Sequence, residues 1–172
     1  MSTRLTRLLH VLDSISVWSG KAVAWLIVPM VLSLVYEVVA RYGFDSPTAW
    51  AYDITYMLYG AMFMIGAAYT LKLDAHVRTD TFYAKWSART RGIVDAFCYL
   101  FLFFPGMVAF LVVGWDFFVT SYAQGERTVE STWMPVIYPL KFVIVASTAL
   151  LLLQGLSEFV KSVRAAVAGE PA

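Results

Sequence analysis

The sequence predicts an all-α membrane protein: four transmembrane helices, with an amphipathic interfacial helix between the second and third. Two observations carry that expectation. The first is composition, with 60% of the 172 residues apolar and 15% charged, against about 45–50% and about 25% in soluble domains. A globule of this size hides only about 70% of its unfolded surface, so the apolar surplus needs a bilayer. The second is the length of the apolar runs, since crossing ~30 Å of hydrocarbon takes about 20 helical residues.

The first span is expected at about 18–40, because Ala22 to Tyr36 carries no charge and the run continues through Glu37 to Val39. Arg4 and Arg7 before it would suit a secretory signal. A signal core, however, has roughly 7–15 apolar residues followed by a small-residue cleavage site, whereas this run is longer and leads into Tyr36, Glu37 and Arg41. The segment is therefore expected to stay as a helix. Arg41 to Trp50 contains Gly43 and Pro47 and reads as a short turn that makes spans 1 and 2 an antiparallel hairpin.

The second span, at about 49–71, holds 18 uncharged residues from Ile54 to Leu71. The connector at about 73–92 brings Phe82, Trp86 and Ile93 into a stripe about 40° wide at 100° per residue, flanked by Lys85 and Arg89. That pattern suits a helix lying on the cytoplasmic leaflet and touching membrane lipids. The third span, at about 95–117, is uncharged for 20 residues from Ala96 to Trp115 and is expected to bend at Pro105-Gly106. The fourth, at about 136–157, is interrupted only by Lys141. Residues 1–172 then form one four-helix domain, with no repeat of the inverted kind that many transporters show.

Direction follows from the basic residues. The amino-terminal segment, the middle connector and the tail hold ten, against three (Arg41, Arg127, Lys141) on the other side. Positive residues stay in the cytoplasm, so both termini are expected there. Overall charge is nearly balanced, 13 Lys+Arg to 12 Asp+Glu, which leaves no basic field for nucleic acid.

Little in the chain points to catalysis. There is no GxSxG, HExxH, P-loop or CxxC pattern. Cys98 alone excludes an intrachain disulfide, and His10 and His76 fall at the cytoplasmic fringe rather than inside a bundle where haem would need them. No metal site and no cofactor are expected, and the protein reads as no enzyme. The charges of interest lie just inside the membrane: Glu37, Asp53 and Lys141, each expected about four residues, or ~6 Å, below the external surface. With Arg41 they sum to zero, so they are expected to tie spans 1, 2 and 4 together; the competing reading has each one reach separately for the headgroups. Asp53, Gly60, Ala67 and Asp74 recur every seven residues, and Gly60 with Ala67 offers a narrow strip for a neighbouring helix. Trp18, Trp50, Trp115 and Trp133 read as interfacial belt residues.

Several of these residues also form an ordered series. Glu37-Val-Val-Ala-Arg41-Tyr42, then Ser46-Pro47 with Trp50-Ala-Tyr-Asp53, then Gly66-Ala-Ala-Tyr69 and His76-Val77-Arg78-Thr-Asp80 resemble the motifs of the small membrane subunit (DctQ-like) of tripartite ATP-independent periplasmic, or TRAP, transporters. Asp53 stands where a glutamate is commoner in that family. The specific part is residues 37 to 80; the second half matches in hydropathy and in the Pro135 to Leu140 approach to the last span. The resemblance implies a bacterial inner-membrane subunit that braces a large, sodium-driven transport subunit, with a periplasmic binding protein delivering an organic acid. Taken with the charge and spacing readings that single out Gly60 and Lys141, it makes Glu37, Arg41, Trp50, Asp53, Gly60, Gly66, Ala67, His76, Arg78, Asp80 and Lys141 the candidates for structure or partner contact. The residues alone leave open a self-sufficient homo-oligomeric transporter and a membrane anchor of a redox complex.

Overall fold

A computed structural model describes residues 3–73, 86–129 and 131–169. Its first helical pair, α1 (Thr3–Ala24) and α2 (Ile27–Gly43), is one long helix interrupted at Trp25 and Leu26. Pro29 is the cause. It has no N–H to give the Trp25 carbonyl, which takes the Val28 amide at 3.2 Å instead, while Leu26 N–H turns to Val23 at 2.9 Å.

Helix α3 (Ala51–Lys72) carries Asp53 in its first turn and Lys72 in its last, the charge order that suits the helix dipole. Helix α4 (Ala88–Cys98) starts at Ser87, whose hydroxyl accepts the Thr90 amide at 3.2 Å. It passes through a wide π turn, Tyr99–Phe103, into α5 (Phe104–Gln124). The irregularity expected at Pro105-Gly106 thus falls one turn earlier, because a proline deprives the carbonyl four residues before it of a donor. Helix α6 (Tyr138–Ala168) completes the bundle. Gly125 and Gly169 end α5 and α6 in the left-handed conformation, at φ 58° and 72°.

Among the described residues, four stretches are long and apolar enough to cross a bilayer: Thr6–Gly43, Ala51–Lys72, Ala88–Gln124 and Tyr138–Ala168. Large apolar side chains lie exposed along them, from Val28, Leu32 and Val35 on α2 to Val112 and Val113 on α5. In water such surface would be a liability, and in lipid it is the normal exterior. The chain is an all-α membrane protein. Three of the helices outrun the ~30 Å that a span needs, since 37 residues at 1.5 Å each measure ~55 Å.

Of the interfacial helix expected at 73–92, only residue 73 and residues 86–92 are described. Residues 74–85, with Phe82, lie outside the described ones, but 88–92 belong to α4, which continues into the third span. Ser87 is extended, at φ −65° and ψ 154°, so Trp86 and Ile93 do not share one helix. The capping demand of Ser87 outweighs the apolar periodicity there.

Helix α6 is the hub, packing against α3, α4, α5 and α1, while α2 leans on α3. Its buried face is small and polar, with Ser147, Thr148, Gln154, Gly155, Ser157, Ser162 and Ala165. Three of the hydroxyls return to their own helix: Ser147 and Thr148 donate to the Ile144 carbonyl at 2.9 and 2.7 Å, and Ser162 to the Glu158 carbonyl at 2.9 Å. They therefore cost little on burial and let backbones come close. The closest approach between backbones is at Gly92, where a Cβ would lie 2.4 Å from the Ala166 nitrogen. One end of the bundle carries the 44–50 turn and the 125–137 hairpin; the other carries the start of α1 and the end of α6.

Candidate functional site

Three polar ties hold the loop end, and each is built from one of the acidic or basic residues that the sequence marks. On α2, Glu37 receives Arg41 Nε at 2.7 Å on one carboxylate oxygen and the Thr48 amide at 2.9 Å on the other, with the Thr48 hydroxyl also on that second oxygen. The carboxylate is saturated. It clamps the 44–50 turn back onto the helix that precedes it, and Trp50, at the start of α3, sets its ring 5.5 Å from that of Tyr36. Between them lies an open cavity of about 340 Å³ lined by Tyr36, Ala40, Phe44, Pro47 and Trp50.

On α3, Asp53 is buried and accepts the Ser131 hydroxyl. Its place in the first helical turn adds the favourable field of free amide groups. The third tie belongs to Lys141, buried at the start of α6, which binds the Glu126 carboxylate and lies 3.7 Å above the Phe117 ring. Both Ser131 and Glu126 sit on the hairpin between α5 and α6. That hairpin is closed by backbone bonds from Thr128 to Pro135 at 3.0 Å and from Ile137 to Glu126 at 3.1 Å, and by Arg127 donating to the Met134 carbonyl at 3.1 Å. The Lys141 ammonium holds the Glu126 carboxyl below its ordinary value.

The expected single layer of charge is therefore three separate ties. Glu37 pairs with its own turn, and neither it nor Asp53 meets Lys141. The reason is register. A Cβ on Gly60 would lie 3.3 Å from Leu140, so Lys141 stands beside the third turn of α3, roughly 10 Å along the helix from Asp53 at 1.5 Å per residue. The bundle's fourth span begins deeper than the second, and the hairpin fills the difference.

The small-residue strip is also redistributed. Gly60 touches Leu140, whereas nothing would meet a Cβ on Gly66 within 4 Å. Ala67 is half-buried, and its neighbour Ala68 is the fully buried one. His76, Arg78 and Asp80 lie outside the described residues. Among the described residues no group of three His, Cys, Asp or Glu side chains stands close enough to hold a metal ion.

A polar cluster at the opposite end went unread in the sequence. Asp13 of α1 accepts Ser157 at 2.7 Å, Gln154 at 3.1 Å and Lys161 at 3.0 Å, and Lys161 also binds Glu158 at 2.7 Å. Its signal was the run Gln154, Ser157, Glu158, Lys161, Ser162, spaced three and four apart on one face of α6. In the sequence, Lys161 is one of the basic residues of the tail that set the direction of the spans.

Comparison with known proteins bears on the whole assembly of ties. The family model for the DctQ component of tripartite ATP-independent periplasmic transporters matches residues 30–165, from within α2 to the last turns of α6. No curated protein matches the chain.

Proposed function

Because the chain belongs to the DctQ family of TRAP transporter components, we propose that it is the small permease subunit of a sodium-driven, binding-protein-dependent importer of an organic acid. Its work is to brace the large transport subunit in the bacterial inner membrane, with both termini in the cytoplasm. The turn at 44–50 and the hairpin at 125–137 then face the periplasm and help receive the binding protein.

The observation that carries this reading is the family match over residues 30–165, which takes in the end of the first long helical stretch and most of the other three. The bundle supports it physically. Glu37, Lys141 and Asp13 are consumed in holding loops and helices to one another, while α2 and α5 turn broad apolar faces outward, surface that a larger membrane partner can cover.

The test is reconstitution. The chain is expected to co-purify with a much larger membrane subunit, and proteoliposomes are expected to take up substrate only when both subunits and the binding protein are present. Uptake by this chain alone would overturn the bracing role.

A further inference from the structure

Asp116 takes no part in the polar ties. It stands exposed on α5, on the side away from the buried Gly114 and Ser121, and among the described residues nothing pairs with it. Val112 and Val113, one turn before it, are 64% and 67% exposed. The carboxylate therefore faces outward from an apolar wall.

Packing fixes its depth. Helix α3, with 22 residues, is ~33 Å long, about the thickness of the hydrocarbon layer, so its two ends bracket the bilayer. Gly60, ~13 Å below the loop end of α3, abuts Leu140 of α6, and Ile144, one turn deeper on α6, abuts the place where a Cβ on Gly114 would stand. Gly114 thus lies ~20 Å below that end, and Asp116, two residues back towards it, ~16 Å. The Lys141 ammonium, 3.7 Å from the neighbouring Phe117 ring, marks the same level from α6. Asp116 is at mid-membrane, where its short side chain cannot reach either headgroup layer as a lysine stem could.

Charge decides what covers it. An ionisable group at this depth is retained where a partner answers it. The cation of this chain at that level, Lys141, is buried and bound to Glu126, so a second copy has none to offer, and a symmetric pair would set carboxylate against carboxylate. Lipid tails offer none either. The surface around Asp116 admits a helix: Gly106, Ala109, Val113, Asp116, Thr120 and Ala123 alternate three and four residues apart and are all exposed, and their small side chains let another backbone come close.

We propose that Asp116 receives a basic side chain, lysine or arginine, from a transmembrane helix of the large partner subunit that packs along this side of α5. The ion pair, closed off from lipid by the two helices, sets the register of one subunit against the other. The proposal rests on the bracing reading and adds to it the contact through which bracing acts.

The test compares the full chain alone in nanodiscs with its complex. Asp116→Leu removes a charge that the lone chain leaves facing lipid, so the Tm of the chain alone is expected to rise, while co-purification of the large subunit is expected to fall about tenfold or more. A photo-crosslinking amino acid at Thr120 is expected to join the large subunit. Changing the basic residue nearest that cross-link to Asp should restore the complex in an Asp116→Lys background. A fall in the Tm of the Asp116→Leu chain would make the carboxylate a prop of its own bundle. That result, full retention of the large subunit by Asp116→Leu, a cross-link that is absent or joins a second copy, or a joined helix with no basic residue within a turn overturns the proposal and leaves the bracing reading standing. Failure of the unaltered chain to hold a large subunit ends both.

Discussion

Lys141 shows how differently two partners of one ion pair depend on each other. Its ammonium is buried, whereas the Glu126 side chain is 39% exposed. Truncating Glu126 strands a cation inside the membrane protein, but truncating Lys141 lets the carboxylate turn towards water. Glu126→Ala is therefore expected to lower Tm more than Lys141→Ala, and the double change to recover part of the loss. A double-mutant cycle should give coupling for Glu126 with Lys141 and additivity for Asp53 with Lys141; the reverse would restore a single charge layer. The pH dependence has a definite sign. A carboxyl held below its ordinary value contributes its stability in full above the ordinary carboxylate range and loses it as pH falls through the depressed value. The acid limb of Tm against pH should flatten in Glu126→Gln, which has no charge to lose. The residues in these ties were legible in the sequence; their partners were not. Depth along a helix follows from counting, but Ser131 and Glu126 reach the bundle only because a hairpin folds back, and no spacing encodes that return.

At the scale of elements, the spans were legible because a bilayer demands about 20 apolar residues and tolerates few charges. The helix ends and crossings were less so. Outside the hydrocarbon a helix continues or stops on local grounds, as α4 does by starting at Ser87 and α1 by running on through Arg7 and His10. Crossings are set by which small residue meets backbone. Gly66 looked like a contact residue from its motif, yet its surroundings are open, while Gly92, hidden in a basic stretch, is where α4 meets α6. The contrast is testable. Gly92→Ala must push apart two backbones and is expected to cost about 1–3 kcal/mol or more, as overpacking does. Gly66→Ala is expected to be neutral or to gain up to about 1 kcal/mol from helix propensity. Thermal unfolding of the two variants in one detergent measures both, and equal values would mean that the α4 to α6 crossing is looser than drawn.

For the whole molecule, four crossings put the hairpin and the two termini on opposite sides, so one labelling experiment fixes both. Val129 and Val167 are 88% and 80% exposed. In a Cys98→Ser background, an impermeant maleimide added to intact spheroplasts is expected to modify Val129→Cys, and to reach Val167→Cys only after lysis. The opposite pattern would invert the orientation. The ties described above also differ in when they can form. Glu37 finds Arg41 and Thr48 within eleven residues of chain, so the first turn can close as soon as it leaves the ribosome. Asp53 must wait for Ser131, 78 residues later, and Asp13 for Lys161, 148 residues later. At about 5–20 residues per second, the longer wait lasts on the order of ten to thirty seconds. For the first part of that interval two carboxylates sit unmatched in the first half of the protein; the hairpin relieves the one on α3, and the final helix acts as the signature on the whole structure, because until it is synthesised α1 lacks the polar partner that fixes its place.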